Sequence, residues 1–309
     1  MKTLRIANIK LKNPLILSPM VDVTNLPYRL ICRKAGSALA YTEMLYASAI
    51  IHENKKTKDL MKTSKEDSPI GIQVTGSNIK EFKQLIPHLK PYDLVDINCG
   101  CPSIRIIGSE AGSFLLKNPE KIASMIKILK SANIPITAKI RLGFKTNNAL
   151  KVSKLIEKAG ADALTIHARL ASQSYSSPAD WKQIKFIKKH LGIPIIGNGD
   201  ILSPKDAERM LEIADGAMFA RAAIGDPLIF KRTLHYLKTK KEKSPDFKQN
   251  LNYLKEYLKL SKKYNLIDIP RIKFVSSNFI KNIENASKLR QKLMQLKSFS
   301  EIQKFISNI

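Results

Sequence analysis

Asp93-Leu-Val-Asp-Ile-Asn-Cys-Gly-Cys-Pro102 is the stretch from which the fold can be read. Leu94, Val95 and Ile97 favour β structure, and Pro91 and Gly100 bound the run, so the pattern predicts a strand. It ends by presenting Asn98, Cys99 and Cys101 where a parallel strand would run out. In α/β folds that end of the strand carries the chemistry. Gly100 allows a close backbone approach, and Pro102 fixes the turn. A thiol held there is either a reactive group or a small buried hydrophobe, and these ten residues leave both open.

The same pattern recurs on either side. Strands are expected at Asn13–Met20, Ala40–Met44 and Pro69–Thr75 before it. After it they are expected at Pro135–Arg141, Ala163–Arg169, Ile193–Gly199 and Gly216–Arg221. Helices alternate with them. Thr24 or Asn25 can cap one that stops near Gly36, and Asn78 caps the next. Pro119 and Pro204 open two more, and others start near Asn147, Ala179-Asp-Trp181 and Pro227. The strands are near-continuous apolar runs, which means both faces are covered. Eight β/α units in about 240 residues predict a (β/α)8 TIM barrel. An open doubly wound sheet is disfavoured, because no Gly-x-Gly-x-x-Gly follows the first strand.

Past Thr239 the character changes. Lys240-Lys-Glu-Lys-Ser-Pro-Asp246 reads as a linker. Leu251, Leu254 and Leu258, then Phe274, Phe279 and Ile280, then Leu289, Leu293 and Leu296, recur at helical spacing. The expected division is a barrel domain, 1–240, and a small all-helical C-terminal domain, 241–309.

Charge is the strong compositional signal. The chain has 53 Lys and Arg against 26 acids over 309 residues, a formal net charge of +27. Residues 241–309 alone hold 15 basic and six acidic residues. Such a field favours a polyanion, nucleic acid above all. No apolar run reaches the roughly 18 residues needed to cross a bilayer. The opening Met1-Lys-Thr-Leu-Arg5 lacks a signal-peptide core, so a cytoplasmic protein is expected. Cys32, Cys99 and Cys101 are too few for a disulfide framework. No second Cys pair or His cluster completes a zinc set around Cys99-x-Cys101, and no metal is expected.

In a barrel the C-terminal strand ends share one mouth. They would carry Ser18-Pro19-Met20, Glu43, Gln73, Asn98 and Cys101, Lys139 and Arg141, His167 and Arg169, Asn198-Gly199-Asp200, and Ala220-Arg221. That density of polar groups is hard to explain as core. The loops after strands seven and eight often bind a phosphate in this fold. Lys139 and Gln73 could reach the polar edge or ribityl chain of a flavin. A mononucleotide is expected, since no dinucleotide motif is present.

These residues give the chain a resemblance to the tRNA-dihydrouridine synthases over almost its whole length. The matching pieces are Pro19-Met20-x-x-Val23-Thr24 with Leu26-Pro-Tyr-Arg29, Asn98-x-Gly-Cys-Pro102, Ala111-Gly-Ser-Phe-Leu-Leu116 and Lys139-Ile-Arg141. Further matches are His167-Ala-Arg169-x-x-x-Gln173-x-Tyr175 with Ala179-Asp-Trp181, and Asn198-Gly-Asp-Ile201. The resemblance implies an FMN-bearing barrel whose helical tail helps to grip tRNA. The implied reaction reduces the uracil C5–C6 double bond, with NADPH or NADH as reductant. Cys101 would be the general acid. Pro19, Met20, Val21, Gln73, Lys139, His167, Asn198, Gly199, Asp200, Ala220 and Arg221 would hold FMN. Asn98, Arg141, Arg169, Gln173 and Tyr175 would meet the substrate. A monomer is expected. The sequence departs from the family pattern at Asp22, Arg105, Glu110 and Ala220. Two rival readings are an FMN barrel acting on a small molecule and a catalytically inert RNA-binding protein. The first leaves the basic tail unexplained, and an intact Cys101 speaks against the second.

Overall fold

A computed structural model describes residues 3–281 and 283–309. The chain opens with an antiparallel hairpin, β1 (Arg5–Ile6) and β2 (Ile9–Lys10). Barrel strands follow as β3 (Leu15–Leu17), β4 (Ala40–Tyr41) with its displaced continuation β5 (Leu45–Tyr46), β6 (Ile70–Thr75), β7 (Leu94–Cys99), β8 (Ile136–Arg141), β9 (Ala163–His167), β10 (Ile195–Asn198) and β11 (Gly216–Phe219). All pairings in this sheet are parallel, in the order β3-β11-β10-β9-β8-β7-β6-β4. A parallel bridge from Ile16 to Leu39 brings the ring nearly to closure. The fold is a (β/α)8 barrel.

The helices are α1 (Leu26–Lys34), α2 (Ala47–Ile51), α3 (Lys55–Met61), α4 (Ile79–Gln84), α5 (Ile104–Gly108), α6 (Pro119–Leu129), α7 (Ala149–Lys158), α8 (Trp181–Lys188), α9 (Pro204–Ile213) and α10 (Ile229–Thr239). Four more, α11 (Phe247–Lys263), α12 (Ile269–Phe279), α13 (Ala286–Gln295) and α14 (Phe299–Ser307), form the helical C-terminal region. Several starts are fixed as their sequence predicts. The side chains of Asn25, Asn78 and Ser203 accept from the N–H groups of Tyr28, Lys80 and Asp206. Each satisfies a donor that the first helical turn leaves free.

Strand alternation sorts the residues into two shells. Val95, Ile97, Cys99, Ala138, Ile140 and Ile166 face outward and pack under the helices. Ile16, Tyr41, Leu94, Ala163, Ile196 and Met218 face inward, where Leu4, Ile6 and Leu11 from the hairpin segment plug the bottom of the barrel. The plug leaves only the opposite end of the barrel for polar groups.

Two features differ from the sequence expectation. The second strand is broken, because Thr42 and Glu43 turn their side chains to partners. Thr42 Oγ1 accepts from Gln73 N–H at 3.1 Å and donates to Glu43 O at 2.9 Å. The polar, Lys-rich stretch after Asn54, to which the sequence reading assigns no element, is helical in α3 and capped by Asn54. The tail also joins the outer core of the barrel. Leu251, Leu254, Tyr257, Ile272 and Ile280 belong to the same buried cluster as Tyr28 and Ile31.

Candidate active site

The site is built from the top of β7. Asn98 is inward and buried, and its Oδ1 accepts from the backbone N–H groups of Gly100 at 3.1 Å and Cys101 at 2.9 Å. From the other side, Cys101 O accepts from Ser113 N–H at 3.0 Å. Gly112 makes that contact possible. Its φ is +59°, and a Cβ there would lie 2.8 Å from Cys101 O. The Cys101 thiol is therefore held on a braced loop, half-buried. Cys99, two residues earlier, points into the outer core, where burial pushes its thiol well above the usual range.

Beneath Asn98 runs a directed chain of hydrogen bonds. Asn98 Nδ2 donates to Gln73 Oε1 at 2.9 Å, and Gln73 Nε2 donates to Asp96 Oδ2 at 2.7 Å. Thr137 Oγ1 donates to Asp96 Oδ1 at 2.7 Å. Both ends fix the polarity. Backbone N–H groups can only donate to Asn98, and the carboxylate at the far end accepts. Burial pushes Asp96 up to about 6, against the pull of Gln73 and Thr137.

Lys139 stands beside Asn98 in the β7–β8 ladder. Burial lowers its pKa to about 8, Arg141 adds to the shift, and Asp96 opposes it. Its ammonium makes no hydrogen bond or ion pair among the described residues, unlike its neighbours. Arg141 donates to Gly100 O at 2.9 Å and Leu170 O at 2.8 Å. Arg169 is fully buried, and its donors are committed to Ser177 O, Tyr175 O, His167 Nε2 and both oxygens of Asp200. Arg221 reaches Asp200 Oδ1 at 2.9 Å and keeps nearly half its side chain exposed. Asp200 is thus the anchor of two arginines, and it also accepts from Ala179 N–H. Burial, followed by four nearby cations, drives His167 down to about 2, so its ring is neutral. Tyr175 lies over this group, stacked on His167 at 6.2 Å with the Arg221 guanidinium 4.9 Å from its ring.

These groups line one cavity of about 380 Å³. Pro19, Met20, Val21, Gln73, Asn98, Cys101, Lys139, Arg141, His167, Arg169, Tyr175, Asn198, Gly199, Asp200, Ala220 and Arg221 all reach it. Gln173 does not. Its Oε1 accepts from Leu170 N–H at 2.7 Å and so folds the loop that carries Tyr175. Glu43 lies outside the cavity, where it is buried and ion-paired with Arg271 of α12. Sequence reading missed Phe274 of α12, which joins the lining from the tail. Its apolar helical spacing made it look like core. No group of three His, Cys, Asp or Glu side chains that could hold a metal occurs among the described residues. The departures have local settings. Asp22 adopts φ +63° and lies 3.8 Å from Arg271, Glu110 adopts φ +54° on the exposed loop after α5, and Ala220 has a φ open to any residue.

The family model described as dihydrouridine synthase (Dus) matches residues 16–308. A probable tRNA-dihydrouridine synthase of Aquifex aeolicus (strain VF5) is 34% identical over 307 residues, which covers 96% of this chain and 95% of that protein. A tRNA-dihydrouridine synthase B of Pseudomonas aeruginosa is 34% identical over 247 residues, covering 77% and 74%. Among solved structures, an old yellow enzyme homologue from Zymomonas mobilis superposes with a TM-score of 0.55 at 11% identity, covering 80% of this chain and 95% of that one. Histamine dehydrogenase from Rhizobium sp. 4-9 does so with a TM-score of 0.58 at 16% identity, covering 84% and 50%. The two structural matches establish the barrel fold alone.

Proposed function

The chain belongs to the dihydrouridine synthase family, and from that premise we propose that it reduces the C5–C6 double bond of specific uridines in tRNA, with FMN as cofactor and NADPH or NADH as reductant. The observation that carries this reading is the pairing of a half-buried Cys101 thiol with an unpartnered Lys139 ammonium on one cavity wall.

The donor set suits FMN. Lys139 makes no ion pair among the described residues, and Gln73 presents an amide whose orientation is fixed. The ladders end at Asn198 and Phe219, and the residues that follow, Gly199, Asp200 and Ala220, line the cavity beside Arg221. A phosphate is at home among such donors. Neutral His167 adds no further charge to an already cationic wall. Bound there, FMN would supply the hydride for C6 of the uracil.

The protein's own part is proton delivery and positioning. As charge builds on the uracil ring, Cys101 gives its proton to C5, and the thiolate recovers a proton from solvent. Lys139 would hold the polar edge of FMN and place a positive charge beside it. Asn98, Arg141 and Tyr175 face the base, while Arg169 and Gln173 hold the loop that bears Tyr175. The target base must leave its stack to reach the mouth, which costs least in loop regions of a folded RNA.

Incubation of the yellow protein with NADPH and tRNA lacking dihydrouridine tests the proposal by mass spectrometry of the nucleosides. Dihydrouridine at defined positions is expected. Flavin that bleaches with NADPH but never modifies tRNA would favour the small-molecule reading. A colourless protein that cannot take up FMN would favour the inert RNA binder.

A further inference from the structure

Eight large hydrophobic side chains stand exposed among the described residues, and four of them, Val21, Tyr175, Leu202 and Phe274, line the mouth of the Cys101 cavity. Exposed apolar groups gathered at one opening mark a binding surface. Phe274 is the unexpected member. It comes from α12, is 45% exposed, and among the described residues is the tail's sole contribution to the lining. One turn earlier Arg271 pins α12 to Glu43, just beyond β4. Tyr175 sits on the loop after β9, four strands from β4 around the ring of eight. Farther along α12, Asn278 packs against Gly225 beyond β11, so Phe274 enters the mouth between these two contacts.

We propose that Phe274 is a stacking platform for the nucleobase next to the target uridine. This deepens the proposed function and rests on it. A uridine drawn out of its stack leaves the faces of its neighbours bare. An aromatic ring covers such a face whatever the base, because every base has a π-face. The surroundings favour nucleotides over a plain apolar ligand. The Arg221 guanidinium lies against Tyr175 with much of its side chain still exposed, and the whole chain carries +27. The tail would then serve the site directly as well as through its charge.

The test compares Phe274→Ala, Phe274→Leu and Phe274→Trp as flavin-loaded full-length proteins. Phe274→Ala should raise KM for tRNA roughly 5- to 150-fold, the range that stacking supplies per base. Phe274→Leu should recover only part of the loss, and Phe274→Trp should stay near wild type. Flavin content and flavin reduction by NADPH should match wild type throughout. The slope of tRNA affinity against salt should not change, because no phosphate contact is removed. After subtraction of the Trp181 background, fluorescence of the introduced indole should be quenched on adding tRNA. A wild-type KM in Phe274→Ala, or an unquenched indole, overturns the stacking role while wild-type dihydrouridine formation stands. A KM loss that comes with flavin loss or a flatter salt slope overturns it as well. Absence of dihydrouridine with the wild-type protein would instead refute the proposed function itself.

Discussion

Two thiols separated by one glycine have opposite fates. Cys99 is sealed in the outer core, while Cys101 lines the cavity. Cys101→Ala should therefore keep fold and flavin and lose about 10²- to 10⁴-fold in tRNA reduction. Cys99→Ala should cost packing only, read as a lower melting temperature with normal turnover. Lys139 gives a pH signature. Burial lowers its pKa to about 8, so it is charged below that pH and neutral above it. Flavin reduction by NADPH should slow as pH climbs through about 8, and Lys139→Gln should be slow and flat over the same range. A wild-type rate independent of pH from 6.5 to 9.5 would remove the charge role. At this scale the sequence was readable as a set of residue types at strand ends. It could not show that the donors of Arg169 and the carboxylate of Asp200 are spent on each other and on the Tyr175 loop, because partners distant in the chain settle that.

β7 explains why the strand pattern was so readable. Its outward residues are wholly apolar, and its inward ones, Leu94, Asp96 and Asn98, climb from plug to mouth. Asp96 fixes the direction of the Gln73–Asn98 chain by accepting from Gln73. Asp96→Asn can keep an oxygen toward Gln73 and should retain activity within a few-fold. Asp96→Leu leaves Gln73 Nε2 buried without an acceptor. It should destabilise the protein by about 1–3 kcal/mol in denaturant titrations. Equal stability of the two variants would contradict the directed chain. The eight barrel strands follow from apolar runs between turn residues. The hairpin β1–β2 escaped because each arm is two residues long, too short for any period to register. The break in the second strand escaped because it depends on Gln73 and on Arg271, far along the chain.

The whole molecule is joined by a core that the composition shift at Thr239 did not foretell. Tyr257 of α11 packs edge-on against Tyr28 of α1 at 5.9 Å, and Arg271 reaches buried Glu43. Arg271→Leu should destabilise the protein by about 3–5 kcal/mol at pH 8, because Glu43 is left charged and unpaired. Burial already raises the Glu43 pKa, and loss of Arg271 removes the largest influence opposing that rise. Protonation of Glu43 in acid therefore relieves the penalty, and the deficit should be smaller at pH 5 than at pH 8. A deficit that grows in acid would contradict the pairing. For the same reason, removal of residues 241–309 should uncover core and strand Glu43, so charge reversal of exposed tail lysines is the cleaner probe of RNA binding. The central claim is that Cys101 delivers the proton when a uridine in tRNA is reduced. Its most direct measurement is a single turnover, in which pre-reduced, flavin-loaded protein is mixed with dihydrouridine-free tRNA. Flavin reoxidation should match dihydrouridine formed one for one, and Cys101→Ala should slow both about 10²- to 10⁴-fold with flavin content unchanged. Reoxidation without dihydrouridine, or a Cys101→Ala protein that turns over at the wild-type rate, would contradict it.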